Sequence, residues 1–251
     1  MRERKKEMKK ILITNDDGIQ SPGLIRLVQA ASTLGKVWVI APDGQRSAQS
    51  HSITVRQAVD LHPVALPVAG VRAYACSGTP ADCVRIGTAH LLKEQPDWVF
   101  SGINDGYNMA TDIQYSATAG AAFEAAALNI PAIAVSEAAG GIHGLTDAWL
   151  QKILTDLTQR ELQAGQIFNV NFPGGNAEDF RGIRENRTVG RCPMYQAEYR
   201  TIEAWEDGGI RVAVSGTLDT ESVLRNEQEK ESDFRALMEG YISIGIVNNI
   251  H

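Results

Sequence analysis

The chain has 251 residues, 43% hydrophobic, 22% charged and 6% aromatic, with 23 glycines and 9 prolines. That is an ordinary globular composition; it excludes disorder, collagen and low-complexity scaffolds and leaves room for one large α/β domain or one domain with an appendage, either with a sizeable core. The formal net charge is −6, but residues 1–10 hold six Lys/Arg against two Glu, so residues 11–251 carry −10 and make a poor general binder of a phosphate backbone.

Residues 10–15 read as a first strand, followed by the turn Asp16, Asp17, Gly18 and a helix start with Ser21 as cap and Pro22 in the first turn. Leu24, Leu27, Val28, Ala31 and Leu34 recur at helical spacing as far as Gly35, and Val37 to Ala41 is a second apolar strand halted by Pro42. After a polar loop, 43–52, strand-like runs are expected near 53–61 and 71–75. Thr79, Pro80 and Asp82 have the pattern of a capped helix start, and that helix is expected to reach about Leu92. Trp98 to Ser101 is a buried strand, residues 118–128 form an Ala-rich helix ended by Asn129 and Pro131, and Ala132 to Ser136 is another strand. A glycine-rich connection, 138–145, precedes a helix with Trp149, Leu150, Ile153, Leu154 and Leu157 on one face, and Ile167 to Asn171 adds a strand.

Strands alternating with helices at this spacing imply a parallel sheet covered on both faces, with right-handed crossovers. From about residue 181 the rhythm changes. Arg200 to Val214 reads as a hairpin around Asp207, Gly208 and Gly209, then come a short helix near 232–239 and a strand from Tyr241. The expected division is an α/β core over 9–199 and a C-terminal hairpin and arm over 200–251, whose strands have no obvious partner in the core. Unpaired strand edges tend to pair with another chain, so a homodimer, or a tetramer made of two such dimers, is expected with 200–251 supplying most of the contact.

Residues 1–10 have no apolar run behind their charges and do not read as a secretory signal. Glu124 and Asn129 interrupt the longest apolar stretch well short of the roughly 18 residues of a membrane span. Cys76, Cys83 and Cys192 are an odd number with no C-x-x-C pair, which suggests neither a disulfide framework nor a thiolate zinc site. A soluble, cytoplasmic protein is expected, with neither membrane nor duplex nucleic acid as a partner.

In an open parallel sheet, ligands bind beyond the carboxyl ends of the strands. The loop after the first strand places Asp16 and Asp17 side by side where a glycine-rich phosphate loop could otherwise stand. That pattern favours a hard cation such as Mg²⁺ or Mn²⁺, although Asp-Gly is also a plain surface-turn signal. The loop from Arg46 to Ser52 is rich in hydroxyls and could clamp phosphate, ligate a metal or be simply solvated. His51 within it could act as an acid or a phosphate donor, or be structural. In the loop from Ser101 to Asn108 the glycines allow backbone to approach a ligand, and the Asn side chains can ligate an ion or bind phosphate oxygens. Ser116 and Thr118 precede or open the Ala-rich helix, where an anion is favoured; either could equally be that helix's cap. The chain contains no G-x-x-x-x-G-K-[ST], no G-x-G-x-x-G after the first strand and no G-x-S-x-G.

The blocks ILITNDDGIQSPG at 11–23, APDGQRSAQSHSIT at 41–54, SGTPADCVRIG at 77–87, SGINDGYN at 101–108, DIQYSATAGAAFEAA at 112–126 and GYISI at 240–244 resemble the SurE (survival protein E) nucleotidases. The resemblance implies a Rossmann-like three-layer α/β core, an extension exchanged between subunits, and a metal-dependent phosphatase acting on nucleoside monophosphates. It carries the metal ligands over to Asp16, Asp17, Ser47 and Asn104. Three positions that are glycine in the family's usual pattern are Ser50, Ala110 and Ala117 here, and Gly245 to His251 stand where the family commonly has a Pro-Leu segment.

The expected function is hydrolysis of nucleoside 5′- and 3′-monophosphates to nucleoside and phosphate. One divalent ion per subunit, Mg²⁺ or Mn²⁺, is held by Asp16, Asp17, Ser47 and Asn104, with Asp16, Asp17 and Asn104 carrying the chemistry. Ser47, Asn108, Ser116 and Thr118 are expected to bind substrate, leaving the nucleoside near the 138–145 connection. A non-catalytic nucleotide or phosphate sensor using the same pocket is the alternative.

Overall fold

Alternate residues of the first strand, β1 (Lys9–Thr14), serve opposite sides of the sheet: Ile11 and Ile13 join one core cluster and Leu12 the other, and all three are fully buried. A strand buried on both faces needs layers on both sides. The computed structural model describes residues 8–191, 195–218 and 220–249. After β1 come α1 (Pro22–Ser32), β2 (Gly35–Pro42), β3 (Leu61–Val64), β4 (Arg72–Cys76), α2 (Pro80–Ile86), β5 (Trp98–Asp105) and α3 (Ala117–Ala127). There follow β6 (Ala132–Glu137), α4 (Gly144–Leu157), β7 (Gln166–Phe172), β8 (Ile183–Arg184), β9 (Tyr195–Ala204), β10 (Ile210–Leu218), α5 (Thr220–Arg225), α6 (Asp233–Met238) and β11 (Ile242–Asn248).

Among the described residues the main sheet has the order β3-β4-β2-β1-β5-β6-β7-β11-β8. The six strands from β4 to β7 in that order run parallel; β3 is antiparallel to β4, and β11 is antiparallel to β7. Leu24, Leu27, Val28 and Ala31 of α1 and Leu150, Ile153, Leu154 and Leu157 of α4 cover one face. Cys83 and Val84 of α2 and Ala119, Ala122 and Ala125 of α3 cover the other, where the small side chains let α3 approach the sheet closely. The expected three-layer, mostly parallel α/β fold is the observed one. No helix among the described residues is long and apolar enough to cross a membrane.

The structure departs from expectation in four places, three of them within the core. Residues 53–60 form no strand. Thr54 donates its N–H and its hydroxyl to the Asp82 carboxylate, at 2.9 and 2.6 Å, and Thr79 Oγ1 donates to Ser52 O at 2.7 Å. The segment's polar groups thus tie down the start of α2 instead of building a ladder. The helix expected to reach Leu92 ends as α at Ile86 and continues as a π-helical turn, Gly87–Leu91. Finally, the strand expected to lack a partner, β11, lies inside the main sheet, with Ile244 opposite Val170 and Ile242 opposite Ile183. Its partners are far away in sequence, so no local pattern reports the pairing. The expected arm of 200–251 therefore does not include this strand, which belongs to the core sheet.

The hairpin itself is longer than expected. β9 and β10 pair with each other in a separate two-stranded sheet, and Tyr199, Ile202, Trp205, Ile210 and Val214 are exposed on it. Behind it the chain returns to the core through α6, whose Phe234 and Leu237 pack on Met109 and Ala110 of the loop after β5.

Candidate active site

From β1 the chain moves outward to β2 on one side, and β5 later returns to the other side of β1. The order reverses between β1 and β5, which opens a crevice at their carboxyl ends. Asp16 and Asp17 leave β1 at this point and Asn104 ends β5, so the topology alone brings these residues to one place. Two glycines make the approach possible. Gly18 has φ +101° and turns the chain after the carboxylates; a Cβ there would lie 3.2 Å from the backbone of Gly44. Gly102, at φ +135°, sits where the β5 register against β6 shifts between Ser101 and Asn104, and a Cβ there would lie 2.2 Å from Val135 O. The shift is a local bulge that aims Asn104 and Asp105 toward the crevice.

Backbone bonds lock the three loops together. Arg46 N–H donates to Asp16 O at 2.7 Å, which sets Ser47 beside the first loop, and Asp105 N–H donates to Asp17 Oδ2 at 3.1 Å. Asn15 Nδ2 donates to Gly18 O at 3.1 Å and Ser21 Oγ at 2.7 Å, bracing the turn. Asn104 Nδ2 is committed to Gly106 O at 2.7 Å, which leaves the amide oxygen as its ligating atom.

Asp16 is 3% exposed, and its carboxyl is pushed up to about 6, first by burial and then by the Asp17 charge, against a lowering hydrogen bond from Thr118 Oγ1 to Asp16 Oδ1. Burial also raises Asp17, against the lowering bond from the Asp105 N–H. Among the described residues no cationic side chain pairs with either carboxylate. Two carboxylates, a hydroxyl and an amide oxygen are the hard donors that Mg²⁺ or Mn²⁺ prefers, so this donor set fits such an ion. Among the described residues no cluster of three or more His, Cys, Asp or Glu side chains could hold a metal.

The substrate-contact expectations divide. Ser116 is the N-cap of α3, its Oγ accepting from Ala119 N–H at 3.0 Å, and it stands at the helix end that favours an anion. Thr118 is fully buried and gives its hydroxyl to Asp16, so it orients that carboxylate. Asn108 is turned into the protein: Nδ2 donates to Ser136 Oγ at 2.8 Å, and its carbonyl accepts from Asn169 and Asn171. Ser47 is exposed, its Oγ accepting from Gln45 Nε2 at 3.1 Å. His51 Nε2 lies 2.7 Å from the buried Glu124, which also binds Arg85 Nη1 at 3.0 Å.

Two aspartates, one at the crevice and one behind the loop after β5, carry roles that motif reading passed over. Asp105 links Asp17 to the next loop, its Oδ1 accepting from Gly140 N–H at 2.7 Å, and its place in Asn-Asp-Gly was the available signal. Asp233, 3% exposed, accepts from the N–H groups of Ala110, Gly190 and Phe234 and is pushed up to about 6 by burial. Ser50 and Ala110, two of the positions that resemblance marks as glycine, adopt left-handed backbone at φ +53° and +49°; Ala117 lies in regular helix.

Residues 11–196 match the family model described as Survival protein SurE. This chain belongs to the SurE family. Curated relatives named 5′-nucleotidase SurE include those of Thermoanaerobacter sp. (strain X514), 44% identical over 94% of this chain and 90% of the relative, and Gemmatimonas aurantiaca, 40% identical over the same shares. The crystal structure of the SurE protein from Aquifex aeolicus superposes with a TM-score of 0.77 at 29% identity, covering 95% of this chain and 92% of that one.

Proposed function

We propose that this SurE-family chain is a divalent-metal-dependent phosphomonoesterase that hydrolyses nucleoside 5′- and 3′-monophosphates to nucleoside and phosphate. The observation that carries the reading is the pair of buried Asp16 and half-buried Asp17 at the switch point, on neighbouring loops with Ser47 and Asn104. Those four residues would hold one Mg²⁺ or Mn²⁺. When bound, the ion polarises the phosphoryl group and makes water a stronger nucleophile at neutral pH. Thr118 holds Asp16 in one orientation, and Asp105 does the same for Asp17 through its backbone N–H. The first turn of α3 and the hydroxyl of Ser116 favour the phosphate oxygens. Hydrolysis breaks the ester P–O bond, places the water oxygen on phosphorus and returns a proton to the departing sugar oxygen.

The experiment is phosphate release from a panel of nucleoside monophosphates and bis-esters, with and without chelator. Release from monoesters that chelator abolishes is the expected result; faster cleavage of bis-esters would overturn the reading. A metal- and nucleotide-binding protein without turnover would instead be the sensor alternative.

The exposed apolar side chains of the β9–β10 hairpin support a homodimer, or a tetramer of two dimers, formed through that element. Deletion of 216–251 would also remove β11 from the sheet, so substitution of Tyr199 and Val214 by charged residues is the cleaner test, read by light scattering. A cytoplasmic location is part of the same reading, supported by the buried free thiols of Cys76 and Cys83.

A further inference from the structure

Beside Asp17, on the α1 side of the crevice, lies a cavity of about 210 Å³ lined by Asp17, Arg26, Ile103, Asp105, Glu137 and His143 among others. Its chemistry differs from that of the phosphate end. Glu137, at the carboxyl end of β6, has a side chain only 5% exposed and is gripped by Arg26, with Nη1 to Oε1 at 2.6 Å and Nη2 to Oε2 at 3.2 Å. His143 Nδ1 lies 3.0 Å from Glu137 Oε1, and Arg26 is itself fixed by Asp147 at 2.6 Å. The residues that shape this cavity come from five separate segments, the turn after β1, α1, β5, β6 and the connection to α4, so it is a formed part of the fold.

Its lining selects among the parts of a nucleotide. Three carboxylates face one guanidinium, so a phosphate is repelled and a group offering hydrogen-bond donors is welcomed. The volume is below the roughly 300 Å³ at which pockets for drug-sized molecules begin, so one small ring fits and a whole nucleotide does not. The lining has no Phe, Tyr or Trp on which a base could stack. A sugar ring meets all three conditions. Arg26 uses one position on each Glu137 oxygen and His143 approaches Oε1, so of the about four acceptor positions of an ionised carboxylate one remains, on Oε2, for a hydroxyl donor.

We propose that this cavity holds the ribose of the substrate, with Glu137 accepting a hydrogen bond from a sugar hydroxyl, Arg26 fixing Glu137, and His143 closing the rim. The inference rests on the nucleotidase reading and deepens it. A carboxylate at the end of a neighbouring parallel strand, taking ribose hydroxyls, is a solution open sheets also use for dinucleotides. Because the cavity adjoins Asp17, a ring seated there can present either its 5′ or its 3′ phosphate to the same centre.

The test compares kcat/KM of the Mn²⁺-loaded protein for a nucleoside 5′-monophosphate, its 2′-deoxy analogue and p-nitrophenyl phosphate, which has no sugar. The unaltered protein is expected to prefer the ribonucleotide over the deoxy analogue by roughly tenfold or more, the effect of losing a hydrogen bond to a charged group. In Glu137→Gln that ratio should fall toward one. Should loss of the buried charge prevent Glu137→Gln from folding, His143→Ala at the half-exposed rim should narrow the preference for nucleotides over p-nitrophenyl phosphate. Equal handling of ribo and deoxy substrates by the unaltered protein, or a ratio unmoved by the variants while all monoesters are hydrolysed, would overturn the ribose pocket and leave the phosphatase standing. No release from any monoester would overturn the nucleotidase reading and this inference with it.

Discussion

Asp16 and Asp233 are each 3% exposed, each pushed up to about 6, and in each burial is the main cause. Their surroundings differ. Asp233 meets three backbone N–H groups, from Ala110, Gly190 and Phe234, and so joins the loop after β5, the segment before β9 and the start of α6. Asp16 takes the Thr118 hydroxyl and backbone N–H groups of its own turn and of Thr118, and stands beside Asp17. Each also has a like charge nearby, Glu229 for Asp233 and Asp17 for Asp16, but the donors on Asp233 come from three segments and tie them together, whereas Asp16 forms with Asp17 a carboxylate pair at the crevice, suited to binding something of opposite sign. Burial and a raised pKa therefore do not distinguish a structural aspartate from a functional one; the partners do.

The widest separation between the two should come from substitution. Asp16→Asn is expected to lower phosphate release by roughly 10³-fold, the several kcal/mol that a metal centre supplies to a transition state, with stability within about 1 kcal/mol of the unaltered protein. Asp233→Ala should do the reverse, costing about 3 kcal/mol or more because three buried N–H groups lose their acceptor, with turnover per folded molecule within a few fold. Near-normal release by Asp16→Asn, measured beside urea unfolding of both variants, would dissolve the contrast.

Proton linkage sharpens it. The folded Asp233 carboxyl lies at about 6, above its ordinary 3.8, so the stability it contributes is present below about pH 4 and is lost as pH rises through about 6. Relative to Asp233→Asn, which cannot titrate there, the unaltered protein should lose up to about 3 kcal/mol between pH 4 and pH 7. Urea midpoints that keep a constant gap across that range would contradict the assignment. Metal should separate the pair in the opposite sense. Mn²⁺ at a hundred times its Kd should stabilise the unaltered protein and Asp233→Asn by about 2.7 kcal/mol and leave Asp16→Asn unmoved, as followed by thermal unfolding.

The smallest effect concerns the residue that Asp233 holds. Ala110 sits at φ +49°, a conformation that costs a side-chain-bearing residue about 1–2 kcal/mol, while its buried methyl contributes about 0.8 kcal/mol. Ala110→Gly should therefore raise stability by no more than about 1 kcal/mol, or about 2–4 °C in Tm. A clear loss would mean that the Ala110 contact with Phe234 and Leu237 outweighs the strain.

The Asp16 side of this comparison was legible in the sequence, because a strand, two adjacent carboxylates, a glycine and a capped helix occur in one continuous run. The core from β1 to β7 was legible for the same reason: its period-two and helical patterns are local, as in Leu24, Leu27, Val28 and Ala31. Asp233 was not, since its three partners lie on two remote segments as well as its own helix, and N–H groups carry no residue identity. Glu137 and Arg26 escaped notice likewise, each unremarkable until the fold joins the end of β6 to α1. For Asn108 and Thr118 the sequence showed polar residues near the site, but not their three-dimensional partners, Ser136 and Asp16.

The place of β11 between β7 and β8 also sets an order of events during synthesis. β7, with Ile167, Phe168 and Val170 buried in the finished protein, is complete at Phe172, but the strand that caps its outer edge ends only at Asn248. At the usual elongation rate of 5–20 residues per second, that edge waits roughly 4–15 s for its partner. During the wait the β9 and β10 strands emerge beside it, each a candidate to add onto the open ladder in the wrong register. A nascent chain of this protein thus passes through an interval in which holding β7 apart from its own hairpin, or from the β7 of a neighbouring ribosome's product, decides whether it reaches the native sheet.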